Sequence, residues 1–328
     1  MLSRLSLSLN FDADRPFRGL GFGGSMLRGA FGAALKRTVC VMRQGDCAGC
    51  ALEYACIYTT LFETRPNPES GLMRRYERAP HPFLLAVAPP VSKKMPQGGN
   101  GALIVRLRLF GDAGKALPFV LKSFEEAGKV GFGAARVPHK LTFVSHEDGE
   151  VIWRSGENFK PVKSDDSAPP PLARITRWRF ISPVRLKREG RLVTAEQFEG
   201  HDLCMAVVRR LGLLTGFFGS GPLSADFAAL KVSALRARIT AKALEWYEIR
   251  RFSARQHMEL GMGGLIGELT LDHGGDPELA AALAYAPLIH VGKGATMGLG
   301  EVHIKTEDFS LDFAFPAAAT WESEGALL

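Results

Sequence analysis

The chain has 328 residues, of which 46% are apolar and 23% charged, with a formal net charge of +7. At roughly 100–200 residues per domain, that length allows two domains or one large one, each able to bury a core, and the composition excludes global disorder. No run of about 18 apolar residues occurs, so no membrane span is expected. The basic excess is local. Between Pro171 and Leu260 there are 16 Lys/Arg against 8 Asp/Glu, a balance that attracts a polyanion such as a nucleic-acid backbone.

The first ten residues alternate apolar and polar, the period of a strand rather than of a signal peptide, and a cytoplasmic protein is expected. The strand spans about Arg4–Phe11. After the turn Gly19-Leu-Gly-Phe-Gly-Gly24, Ser25 is the expected N-cap of a helix with Leu27, Ala30, Phe31, Ala34 and Leu35 on one face. A cysteine-bearing segment follows, then strands at Phe83–Ala88 and Ala102–Phe110. A helix at Ala116–Ala127, a strand at Lys140–Val144 and a hairpin turn at Asp148-Gly149 complete the first half.

The polar, proline-rich stretch Lys163–Leu172 stops both helix and central strand. Beyond it the order repeats. Ile175–Leu186 is a strand with Pro183 at an edge or bulge, and Gly200–Leu214 a helix. Strands follow at Trp246–Ser253 and Gly264–Leu271, then a helix at Pro277–Ala284. Leu288–Val291 leads into a glycine-rich loop and a strand at Glu301–Lys305. Two passes through β-α-β-β-α-β predict an α+β chain of two tandem ferredoxin-like (RRM-like) domains with a four-cysteine insertion in the first. Residues 1–165 form the first domain, with the insertion at about 40–58; residues 174–328 form the second, which carries the glycine-rich loop.

Three constellations carry chemistry. Cys40, Cys47, Cys50 and Cys56 fall within seventeen residues in the pattern C-x6-C-x2-C-x5-C. In a cytosolic chain this spacing predicts a closed, structural zinc site more readily than disulfides, with an iron–sulfur cluster as the alternative. Cys204 falls on an amphipathic helix and is read as core. The loop His290-Val-Gly-Lys-Gly-Ala-Thr-Met-Gly-Leu-Gly300 allows positive φ and exposed amides at Gly292 and Gly294, with Lys293 adding a cation. It can cradle phosphate or serve as a tight connection. It is not a P-loop, because the order G-x-x-x-x-G-K-[ST] is absent. In Trp246–Gln256 one strand would place Trp246, Glu248, Arg250 and Phe252 on one face and Tyr247, Ile249, Arg251 and Ser253 on the other. Arg251, Arg255 and Gln256 are candidates for phosphates or base edges, beside aromatics that suit unpaired RNA.

These residues resemble the CRISPR repeat-processing endoribonucleases of the RAMP superfamily. The resemblance rests on Met26-Leu-Arg-Gly-Ala-Phe-Gly32, the cysteine segment ending Cys56-Ile-Tyr58, and Leu61-Phe-Glu-Thr64. It continues through Phe180–Lys187, Arg251–Gln256, Gly264–Gly267 and the loop opening His290–Lys293. It implies a prokaryotic protein with two RRM-like domains that bind the repeat of a precursor CRISPR RNA. It further implies one cut per repeat without a catalytic metal: the 2′-OH attacks, leaving a 2′,3′-cyclic phosphate (or 3′-phosphate) and a 5′-OH. Precursor and mature CRISPR RNA, and other effector subunits, are the partners it implies. Where the family often has Gly-His-Ala-Leu on its first helix, this chain has Gly32-Ala-Ala-Leu35, which favours as an alternative a non-cutting RNA-binding subunit.

His290 is the expected general acid or base, with a structural, loop-ordering histidine as its alternative; His257 is next. Arg28, Lys36, Arg37, Arg250, Arg251 and Lys293 are expected at phosphates. His81, His139, His146, His201, His273 and His303 have no supporting neighbourhood in the sequence.

Overall fold

The computed structural model describes residues 2–13, 23–43, 46–64, 79–87, 103–221, 223, 225–253, 258–306 and 310–311; at 250–260 and 310–311 only the backbone is described. In the first half the elements are β1 (Arg4–Asp12), α1 (Gly24–Val39), α2 (Ile57–Phe62), β2 (Phe83–Val87) and β3 (Leu103–Phe110), then α3 (Leu117–Val130), β4 (Lys140–His146) and β5 (Val151–Arg154). The strands form one antiparallel sheet in the order β2-β3-β1-β4-β5.

The second half contains β6 (Ile175–Val184), the small hairpin β7 (Lys187–Arg188) and β8 (Arg191–Leu192), α4 (Gly200–Phe218), α5 (Phe227–Arg236) and β9 (Arg238–Tyr247). There follow β10 (Arg250–Ser253), β11 (Met258–Gly261), β12 (Gly264–Asp272), α6 (Pro277–Leu283), α7 (Ala286–Ile289), β13 (Val302–Lys305) and β14 (Ser310–Leu311). The second antiparallel sheet runs β14-β13-β6-β12-β9. Counting the β-α-β-β-α-β strands of each half from one to four, both sheets have the order 4-1-3-2 (β4-β1-β3-β2 and β13-β6-β12-β9). Each adds one strand beside the fourth. The fold is two tandem ferredoxin-like units, as the element order predicts.

Alternation makes each core. Leu5, Leu7, Leu9 and Phe11 of β1 face α1 and α3, where Phe31 stacks on Phe124 at 4.5 Å. In the second half Trp178 and Phe180 of β6 face α4, whose N-terminus is closed by a reciprocal capping box between Glu199 and Asp202. Pro183 lies where β6 and β12 lose register, the bulge its sequence predicts. Among the described residues no helix is long and apolar enough to cross a membrane.

Some boundaries differ from expectation. The N-cap of α1 is Gly23, so Ser25 lies inside the helix. The strand expected at Trp246–Ser253 is two elements, because β9 ends at Tyr247 and β10 pairs with β11 in a separate two-stranded ribbon. The face assignments for Trp246–Ser253 fall with that single strand. β5 is the return strand of the hairpin expected at Asp148-Gly149, whereas α2 and α5 were not expected from the sequence.

Candidate nucleic-acid interface

The glycine-rich loop is built to meet the other half. Gly292, Gly294, Gly298 and Gly300 have φ of 84°, 86°, 84° and 76°, a region costly for residues with a Cβ. The loop amides of Lys293, Met297, Gly298 and Gly300 donate to the carbonyls of Arg185, Gly294, Ala295 and Pro183 at 2.8–3.0 Å. Much of its hydrogen bonding therefore holds shape. What it offers outward is Gly292-Lys293-Gly294, with the Lys293 side chain exposed. Its far side packs on the first half. A Cβ at Gly24, at the start of α1, would overlap the Met297 carbonyl, and one at Gly298 would lie 2.8 Å from the Leu85 oxygen. The loop thus packs on the start of α1 and on β2.

His290 does not sit at an open entrance. It is 6% exposed, has φ 58°, and its Nδ1 lies 3.1 Å from the Leu299 carbonyl that it serves as donor. Burial first, and then the Arg108 and Arg106 guanidiniums, push its pKa down to about 3 against the pull of Glu301. It is neutral at neutral pH and has the geometry of a histidine that orders the loop, the alternative weighed above, rather than of an exposed acid or base.

Around it the halves are joined by charge. Arg106 of β3 donates two bonds of 2.6 Å to Glu301, with both side chains largely buried. This partner holds the Glu301 carboxyl below the usual range, although burial alone would raise it. Arg108, two residues along on the same face, gives Nε to Ser6 and Nη1 to the Leu288 carbonyl, each at 2.6 Å. Arg210 of α4 gives Nε to the Ile289 carbonyl at 2.6 Å. Arginines from both halves thus satisfy the last carbonyls of α7, the helix that leads into the loop. Sequence reasoning missed all three. The visible signal was Leu-Ile-Val-Arg-Leu-Arg-Leu-Phe, with two arginines on one face of an otherwise apolar strand.

The other predicted cations lie on α1. The Arg28 guanidinium carbon lies 5.1 Å from the Phe62 ring centroid, and the Lys36 ammonium 5.3 Å from that of Tyr58. The two rings stack at 5.5 Å on α2. Arg28 also reaches His81, Nη2 to Nε2, at 3.2 Å. Sequence reasoning gave His81 no neighbourhood, and its partner lies 53 residues earlier in the chain. Arg37 is exposed in the last turn of α1, where the helix dipole favours a cation. Arg250 and Arg251 lie on β10, described in backbone alone; Arg255, Gln256 and His257 lie outside the described residues.

Cys40, Cys47, Cys50 and Cys56 are unbridged and line one small pocket with Lys36, Met42 and Tyr58. Cys40 caps the C-terminus of α1 and Cys56 the N-terminus of α2. Four thiols around one space suit a soft, tetrahedral ion. Among the described residues, however, no three His, Cys, Asp or Glu side chains stand close enough together to ligate one. Cys204 is buried, as expected of a core residue.

Tandem ferredoxin-like units joined through a glycine-rich loop define the class. Residues 2–166 match a family model described as an N-terminal domain, and residues 178–302 match CRISPR-associated endoribonuclease Cas6. The second unit thus carries a Cas6 domain by its sequence, and the first matches the separate N-terminal-domain model. It is 24% identical over 298 residues to an uncharacterized protein of Archaeoglobus fulgidus, covering 87% of this chain and 92% of that one. The Cas6 of Thermus thermophilus shares its fold with a TM-score of 0.54 at 16% identity, over 92% and 98% of the two chains. A Cas6 product complex gives a TM-score of 0.56 at 19% identity, over 92% and 99%.

Proposed function

We propose that this chain is a metal-independent endoribonuclease that cuts precursor CRISPR RNA once within each repeat. The observation that carries the reading is the junction at which the second unit's glycine-rich loop packs on the start of α1, Met297 against Gly24, with Arg28, Lys36 and Arg37 further along α1 and Lys293 exposed on the loop. A backbone lying along it would meet cations from both halves. RNA brings its own nucleophile. The 2′-oxygen attacks the adjacent phosphorus, the bond to the 5′-oxygen breaks, and the products are a 2′,3′-cyclic phosphate (or 3′-phosphate) and a 5′-OH. The protein aligns the attack, moves the protons and neutralises the crowded phosphate. Arg250, Arg251, Arg255 and Gln256 stay candidates for phosphate or base contacts, and His257 for proton transfer, on their sequence alone. His290 holds the loop.

Ala33, exposed on α1 where the family often carries histidine, favours a second reading: an RNA-binding subunit that does not cut. Incubation with the cognate repeat RNA in EDTA separates the two. The proposal expects one cut that vanishes when the scissile nucleotide is 2′-deoxy. Tight binding without a cut sinks it and leaves the second reading; cleavage that needs added metal sinks the metal-independent chemistry.

The same proposal gives the four cysteines a structural zinc. The exposed side chains between them, Val41, Met42, Leu52 and Tyr54, supply little core, and an ion drawing the thiols inward would replace it. About one zinc per chain is expected by elemental analysis, with a lower melting temperature after each Cys→Ser change. Metal-free protein with an unchanged melt argues against the site, and a brown, iron-containing sample assigns it to an iron–sulfur cluster instead.

A further inference from the structure

We infer that His81 is the proton-transfer group of this chain, held in place by Arg28; the inference rests on the RNA-cutting reading above. The described histidines differ sharply in what surrounds them. His139 and His273 are 2% and 1% exposed, each with a ring nitrogen on a backbone carbonyl, and His290 is buried beneath the loop. His201 lies between Glu199 and Asp202 at the start of α4, and His303 near Glu301. His146 closes the β4–β5 turn. His81 alone among the described histidines is both part-exposed and bonded to a cation of α1.

Its placement is built. The His81 ring lies 6.1 Å from Phe83 at 26° and 6.4 Å from Phe62, both of them core residues. Arg28 lies in turn over Phe62. The row continues through Tyr58 to Lys36, so two cations of α1, the Tyr58 ring of α2 and the His81 imidazole line one seam above the buried Phe62. Such a row suits a phosphate backbone with an unstacked base.

The contact also fixes the protonation state. Arginine stays charged and only donates, so at 3.2 Å Nε2 of His81 is the acceptor and the proton sits on Nδ1. That is a neutral imidazole, the state a base needs. When RNA arrives, Arg28 turns to the scissile phosphate and releases the Nε2 lone pair. Nε2 then takes the 2′-OH proton as the 2′-oxygen bonds to phosphorus. The bond to the 5′-oxygen breaks, and that oxygen takes a proton from water. Arg28 is a positioning residue for His81 as well as a phosphate contact.

The test is single-turnover cleavage of repeat RNA by full-length protein, beside direct measurement of RNA affinity. His81→Gln keeps an acceptor for Arg28 but has no titrating ring. It is expected to melt and bind RNA like wild type, cut at least about 10²-fold more slowly, and regain activity with added imidazole. The wild-type rate should rise with pH as an imidazole base loses its proton, a rise that His81→Gln lacks. Arg28→Ala should shift that profile, and Arg28→Lys should restore part of it. Wild-type cleavage by His81→Gln, or loss of cleavage in His257→Ala alone, overturns the assignment while the RNA-cutting reading stands. A wild-type protein that binds the repeat and never cuts it overturns both.

Discussion

The two sheets have the same strand order and opposite fates. On the first, the face turned from α1 and α3 carries Arg4, Ser6, Ser8 and Arg108, and all four are buried at 8% exposure or less beneath the second half. On the second, the corresponding β6 face carries Ile175, Arg177, Arg179 and Ile181, all exposed. Arg177 and Arg179 meet Glu268 only at 3.7 and 3.6 Å. The same kind of residue therefore does different work. An arginine under a second layer needs buried partners, as Arg106 has in Glu301 and Arg108 in Ser6 and the Leu288 carbonyl, and it ties the halves together. An arginine in water contributes little to stability.

The largest test of this contrast is Arg106→Ala. It leaves the Glu301 carboxylate buried without its bidentate partner and should cost on the order of 3–5 kcal/mol in denaturant unfolding. A loss below about 1 kcal/mol would mean that the pair does not hold the halves. The next is pH. His290 keeps a folded pKa of about 3, below its ordinary 6.5, so the unfolded chain binds a proton that the folded chain refuses. The stability it contributes is complete above 6.5 and is lost as pH falls towards 3. Between pH 6.5 and 5, wild type should lose roughly 1–2 kcal/mol that His290→Asn does not. Glu301, with its pKa also lowered, would lose its contribution only below the usual carboxylate range and so falls outside that window. Equal slopes in the two proteins would place His290 in contact with water. The smallest effect belongs to the open sheet: Arg177→Ala and Arg179→Ala should each change stability by less than about 0.5 kcal/mol. A larger loss would show that this face is covered in solution.

Periodicity read most of the fold because most strands have one dry face. Arg4–Phe11 and Gly264–Leu271 alternate apolar residues toward the helices, although in β1 the polar face is covered as well. β9 escaped that test. As an outer strand it is exposed or only half-buried along its whole length, so Arg238–Tyr247 has no apolar period, and its aromatic end Trp246-Tyr247 drew the reading into the next element. The loop and the cysteines were legible as local patterns. The site was not, because its contacts join distant positions: Arg28 to His81, and Arg106 to Glu301, 195 residues apart. His290 looked catalytic because a sequence shows a histidine beside glycines and conceals the two arginines and the carbonyl that enclose it.

The meeting of Gly24 with the Met297 carbonyl constrains any exchange of parts between relatives. A chimera that imports a first helix whose matching position carries a side chain would wedge α1 away from the loop, however well each half folded alone. Helix start and loop must therefore be transplanted as one cassette, although some 270 residues separate them along the chain.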